Sequence, residues 1–200
     1  VCSSDLGAKF DFEKAKWYNH EWIKKLPASH IAENIKELFA AKNIAVTSDE
    51  YFIKVLDLVK DRCTLLTDFY EQSVYFFQSP QQLDTAAVLP KWNAEKSAFF
   101  ESYCELLHNI SSWELSFIEN EFKQLAAAKN IKPGELQLPM RIMLVGGKFG
   151  PAVFEIASMI GKEETISRIK KALTIFNQSS SVISTSVRLD LHLNSFSKTV

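Results

Sequence analysis

Glycine and proline are scarce, six of each in 200 residues. So few breakers argue against a sandwich of short, turn-linked strands and favour helices. Cysteine is nearly as rare, and Cys2, Cys63 and Cys104 stand far apart. An odd, scattered count fits a reducing compartment better than a disulfide framework and offers no zinc spacing. No apolar run approaches the roughly 18 residues that a membrane span requires, and no secretory signal is visible at the N-terminus. The expectation is a soluble, cytoplasmic protein with no membrane partner. Net charge is only −1, so no global positive field points to nucleic acid. His20, His30, His108 and His192 are spread along the chain, without His/Glu/His or Cys/His metal spacing. There is no Gly-x-Ser-x-Gly elbow and no Walker loop. Gly146-Gly147-Lys148 resembles a phosphate loop superficially, but it lacks the preceding strand and the Ser/Thr after the Lys. The expected catalytic and metal-binding residues are therefore none, and Cys63 and Cys104, at apolar helix positions, are expected to be inert core thiols.

What the chain does have is apolar periodicity and rings. It is 46% hydrophobic and 24% charged, with 15 Phe and 4 Trp, so the core should be rich in aromatics. Charge is uneven. From Lys129 to Lys171 there are eight Lys/Arg against four Asp/Glu. On charge alone a solvated helical face is favoured there over an RNA footprint.

The spacing predicts an all-α fold of two consecutive helical bundles with about eight or nine helices. Phe10 to Lys25 is an aromatic-rich stretch that includes a helix and ends at Pro27. Ile31, Ile35, Leu38 and Phe39 make an amphipathic helix that stops at Asn43. Thr47 to Glu50 reads as a capping box. The helix it opens carries Phe52, Val55, Leu56, Val59, Cys63 and Leu66 on one face, with Arg62 beside it near the far end. Thr67 to Phe77 forms an aromatic cluster, and Ser79-Pro80-Gln81-Gln82 is the clearest interior break. Phe99 to Ile110 marks another helix, and Ser111 to Glu114 a second capping box. Asn130 to Gly134 is a turn, Leu138-Pro139-Met140 starts the next helix, and Gly146 to Pro151 is a glycine-rich hinge. Val153 to Ile160 and Ile166 to Leu173 complete the helices.

Both ends differ from the rest. Residues 1–6, Val1 to Leu6, match translated sequencing-adapter DNA and predict a truncated reading frame. In residues 178–200, Ser179-Ser180-Ser181 breaks the helical pattern, and Val187, Leu189, Leu191 and Leu193 alternate as a strand would. That tail is expected to be disordered or out of frame.

Ordered motifs along residues 7–177 resemble the anticodon-binding region of bacterial glutamate–tRNA ligases, which are class I aminoacyl-tRNA synthetases. They are Lys9 to Asn19, Arg62-Cys63-Thr64, Asp68-Phe69, Leu138-Pro139-Met140-Arg141, Gly146 to Glu155, Gly161-Lys162-Glu163 and Arg168 to Leu173. The resemblance implies a remnant of the tRNA-stem contact region at 7–27 and helical anticodon-binding subdomains at 28–83 and 84–177. It implies tRNA(Glu) as partner and a monomer. Neither the HIGH nor the KMSKS signature of the family's catalytic domain occurs here. No cofactor is therefore expected in this chain, while ATP with Mg, and glutamate, belong to the parent enzyme.

Position by position, the resemblance implies that Arg62 matches the arginine that reads the first anticodon base, accepting glutamate anticodons and discouraging glutamine ones. A guanidinium offers a planar donor fork to base edges and stacks on a splayed base. The bland alternative is pairing with Asp57 or Asp61. Arg141 matches a second anticodon-contacting arginine, and Gly150, Pro151 and Val153 match the turn and helix start that touch the bases. The family often has Thr where Gly150 stands and a bulkier aliphatic at Val153. Backbone N–H groups at that helix start can also serve RNA, and the same segment reads equally as an ordinary interhelix turn. Lys148, Lys162, Arg168, Lys170 and Lys171 are candidate phosphate contacts. A stand-alone helical scaffold or protein-interaction module fits composition and periodicity equally well.

Overall fold

The computed structural model describes the backbone of residues 11–196 and the side chains of residues 11–180. The adapter-like residues 1–6 lie outside the described residues. Every regular element among the described residues is helical. The chain divides between Phe77 and Gln78 into two compact units.

The first unit holds α1 (Phe12–Lys25), α2 (Ala32–Ala41), α3 (Asp49–Val59) and α4 (Asp68–Ser73). Its core is a ring cluster around Phe39, which meets Phe52, Tyr70 and Phe77 edge-on at centroid distances of 5.4, 5.3 and 5.2 Å. Edge-to-face pairs add to the gain from burying the rings. Phe52, Val55, Leu56 and Val59 of the expected apolar face are buried along α3 and Cys63 is buried beyond its end, whereas Leu66 is only half-buried. Asn43 ends the α2 segment in left-handed backbone with φ 58°. Two details differ from the sequence pattern. Ser48, not Thr47, caps α3, its hydroxyl accepting from the Tyr51 N–H at 3.3 Å. The helix also stops at Val59, so Arg62 lies in a 3-10 turn over Lys60–Arg62.

The second unit holds α5 (Thr85–Val88), α6 (Ala94–Asn109), α7 (Leu115–Ala128), α8 (Pro133–Val145), α9 (Val153–Ile160) and α10 (Lys162–Phe196). Helix α10 packs against α6, α8 and α9. Trp92 Nε1 donates to Asn177 Oδ1 at 3.0 Å, and Asn177 Nδ2 donates to Ser97 Oγ at 2.9 Å, tying α10 to α6 and the turn before it. The second expected capping box does not form. Glu114 is itself the N-cap of α7 and accepts from Ser112 Oγ at 3.0 Å. Helix α8 begins at Pro133, five residues before the predicted start, and runs through Pro139. Proline at the first helical position costs nothing, because its missing N–H would lack a partner there anyway. Pro139 leaves the carbonyl of Glu135 without an i+4 donor, and Glu135 is exposed. No break occurs at Ser179, whose hydroxyl bonds back to the Ile175 carbonyl at 2.8 Å inside α10. The backbone stays helical through Val187 to Leu193, where alternation predicts a strand.

Candidate nucleic-acid interface

Arg62 is exposed, and among the described residues it makes no ion pair or hydrogen bond. The bland alternative fails on one side at once, since Asp57 pairs with Lys60 at 2.9 Å. The chain just after Arg62 is held from two directions. His20 Nδ1 lies 2.9 Å from the Cys63 carbonyl; a carbonyl only accepts, so this ring nitrogen carries the proton. Asn19 Nδ2 donates to the Thr64 carbonyl. From the other side, one carboxylate oxygen of Asp68 accepts the N–H groups of Thr64 and Leu65, both at 2.8 Å. Between these anchors the Cys63 thiol is buried. Burial, with the nearby Asp68 charge, pushes it up to about 12. Burial also raises Cys104, to about 11. Both stay protonated at neutral pH, as core thiols do.

The hinge of the second unit is built differently. Arg141 projects from α8, and its Nη1 donates to the carbonyls of Phe149, Gly150 and Pro151 at 3.1, 2.9 and 2.6 Å. Three successive carbonyls thus converge on one guanidinium nitrogen, and the turn into α9 folds around it. Gly150 is left-handed there, with φ 99°. Gly146, with φ 91°, lies so close to the chain before α5 that a Cβ would stand 2.6 Å from the Gln82 carbonyl oxygen. Pro151 and Val153, expected to touch bases, are buried, whereas Phe149 beside them is 42% exposed. At the start of α9 the Ala152 N–H is already taken by the Glu155 carboxylate at 3.1 Å. The structure therefore withdraws the Pro151 and Val153 side chains from solvent and leaves backbone and Phe149 outside.

The candidate phosphate contacts separate in the same way. Lys170 and Lys171 are exposed, Lys162 is half-buried, and Lys148 is exposed with Asp84 3.7 Å away. Arg168 is only 4% exposed. Its Nε donates to Glu164 at 2.7 Å and its Nη1 to the Leu144 carbonyl, at the end of α8, at 2.6 Å. Ser79 Oγ donates to the same Glu164 oxygen. Arg168 presents no charge to solvent, and this corrects its place among the phosphate contacts. Burial alone would raise the Glu164 carboxyl. Ser79 and Arg168 outweigh that and hold it below its ordinary value.

No phosphate loop for ATP exists at Gly146 to Pro151. A helix, not a strand, leads into it, and the carbonyls of 149–151 are turned onto Arg141. Among the described residues, no group of three or more His, Cys, Asp or Glu is placed to hold a metal, and no helix is long and apolar enough to cross a membrane.

The described residues are thus all-helical and fall into two units, the first of which presents an exposed arginine, without an ion pair or hydrogen bond, next to a pinned loop. Comparison gives the particular family: the model described as anticodon binding domain matches residues 13–173, and the chain belongs to that family. It is similar to the glutamate–tRNA ligase of Flavobacterium psychrophilum, 38% identical over 167 residues, and to that of Flavobacterium johnsoniae, 34% identical over 168. Each match covers 84% of this chain and 33% of the relative, so the chain spans about a third of the length of these curated relatives. Among solved structures it is similar to a glutamate tRNA ligase from Elizabethkingia meningosepticum in complex with its amino acid. The TM-score is 0.75 at 34% identity, covering 82% of this chain and 32% of that one.

Proposed function

We propose that this chain is the anticodon-gripping part of a glutamate–tRNA ligase and that its partner is tRNA(Glu). Arg62 contacts an anticodon base directly. The turn from Lys148 to Ala152, shaped by Arg141, offers backbone groups and the Phe149 ring to the RNA. Lys148, Lys162, Lys170 and Lys171 supply phosphate contacts, which position RNA without reading it. The whole protein attaches glutamate to tRNA with ATP and Mg, in the cytoplasm and as a monomer, through residues that this chain does not supply.

The observation that carries this reading is Arg62. It is an exposed guanidinium without an acidic partner, followed directly by backbone that four hydrogen bonds fix, in a chain that matches the anticodon binding domain over residues 13–173. Such pre-organisation is wasted on a solvated surface arginine and useful for recognition. The test uses the 200-residue chain with glutamate tRNA. Weak binding that falls steeply with salt, together with no aminoacylation, is the expected result. Measurable charging by the purified chain, or equal affinity for glutamate tRNA and an unrelated tRNA, contradicts it.

A further inference from the structure

Helix α1 is attached to the first unit in an unusual way. Of its residues only Ile23 is buried, while Trp17, Tyr18 and Trp22 are 58%, 57% and 54% exposed. It packs on the Lys60–Arg62 turn, and its polar links across the unit are Asn19 to the Thr64 carbonyl and His20 to the Cys63 carbonyl. Both fall on the two residues that follow Arg62. A broad apolar seam would hold a helix in place with no regard to one loop; these two bonds single out the loop that carries the free arginine.

We propose that Asn19 and His20 are positioning residues for anticodon recognition: from α1 they fix the Cys63–Thr64 backbone and thereby aim the Arg62 guanidinium. This rests on the reading of Arg62 given above. Cys63 leaves the 3-10 turn in an extended conformation, φ −104° and ψ 129°. Asp68 holds the N–H side of the same segment. Without the α1 donors the Cys63 and Thr64 carbonyls turn to water, one edge of the loop is free, and Arg62 regains the conformations that binding must then freeze out.

The experiment measures binding of the 200-residue chain to two transcripts of glutamate tRNA, one with its own anticodon and one with a glutamine anticodon. Asn19→Ala and His20→Ala each lower affinity for the own-anticodon transcript by about 3- to 10-fold, the scale of one lost hydrogen bond. They leave the other transcript within about twofold. His20→Asn keeps a donor at the δ position and binds like the unaltered chain. Asn19→Asp and His20→Gln repeat the test without truncation, with helix content read by circular dichroism. The deciding arm combines each change with Arg62→Ala: residues that act through Arg62 add no further loss once it is gone. A loss that persists at full size in that background, or one equal on both transcripts, overturns the proposal and leaves the two bonds as plain fold stability. Should Arg62→Ala alone spare the anticodon preference, the reading of Arg62 has failed. That outcome is seen without any α1 variant.

Discussion

In the first unit the loop is held by other residues and the arginine is left over; in the second the arginine holds the loop. Arg62 follows α3 just ahead of backbone gripped by Asn19, His20 and Asp68, and its own guanidinium is uncommitted among the described residues. Arg141 gives one nitrogen to three carbonyls of the turn into α9, and Arg168 is buried against Glu164 and the end of α8. The same side chain is left uncommitted in one place and serves as scaffold in two others. A basic residue in an RNA-binding family is therefore not evidence of RNA contact until its hydrogen bonds are counted. Of the eight basic residues from Lys129 to Lys171, Arg141 and Arg168 are turned to internal use.

The contrast breaks if the three arginines respond alike to truncation. Arg168→Ala has the largest expected effect, a loss of about 3 kcal/mol of stability, because it leaves the Glu164 carboxylate and the Leu144 carbonyl without their donor. Urea unfolding measures it. Arg141→Ala removes a shared donor from a partly exposed turn and costs about 1 to 2 kcal/mol, with faster amide exchange confined to residues near 149–152. Acid sharpens the same distinction within the second unit. Glu164 has its pKa lowered by folding, so its stabilising contribution is complete at neutral pH and is lost as pH falls below the ordinary carboxylate value of 4.5. The Glu164→Gln chain accordingly shows a smaller drop in urea midpoint between pH 7 and pH 3. Arg62→Ala is smallest of all, changing stability by less than about 0.5 kcal/mol, as a surface substitution does.

Much of the fold is legible in the sequence because apolar stripes repeat with the helical period. Phe52 to Val59 and Phe99 to Leu107 follow that period and are buried almost residue for residue. Helix ends are less legible. Thr47 and Ser48 are adjacent hydroxyl residues, and only the path of the chain decides which one faces the Tyr51 N–H. Pro139 reads as a helix start, yet α8 already runs from Pro133, and the carbonyl that Pro139 strands lies at an exposed residue. Arg168 is a miss with a visible signal. It shares the stripe of Thr165, Ala172 and Phe176, all buried, and stands four residues after Glu164. Lysines at 170 and 171 fall off that stripe and are exposed. The docking of Asn19 and His20 onto the Arg62 loop spans more than forty residues of chain. No local pattern predicts it; only the co-occurrence of the Asn19, Arg62-Cys63-Thr64 and Asp68 motifs hints that they belong together.

The most direct test compares binding of the unaltered chain and the Arg62→Ala chain, at fixed salt, to glutamate tRNA and to an unrelated tRNA. The account predicts a loss of about tenfold or more on glutamate tRNA and no more than about twofold on the unrelated one, with an unchanged urea midpoint. Equal losses on both RNAs would make Arg62 a general positive charge and contradict its role as a reader of the anticodon.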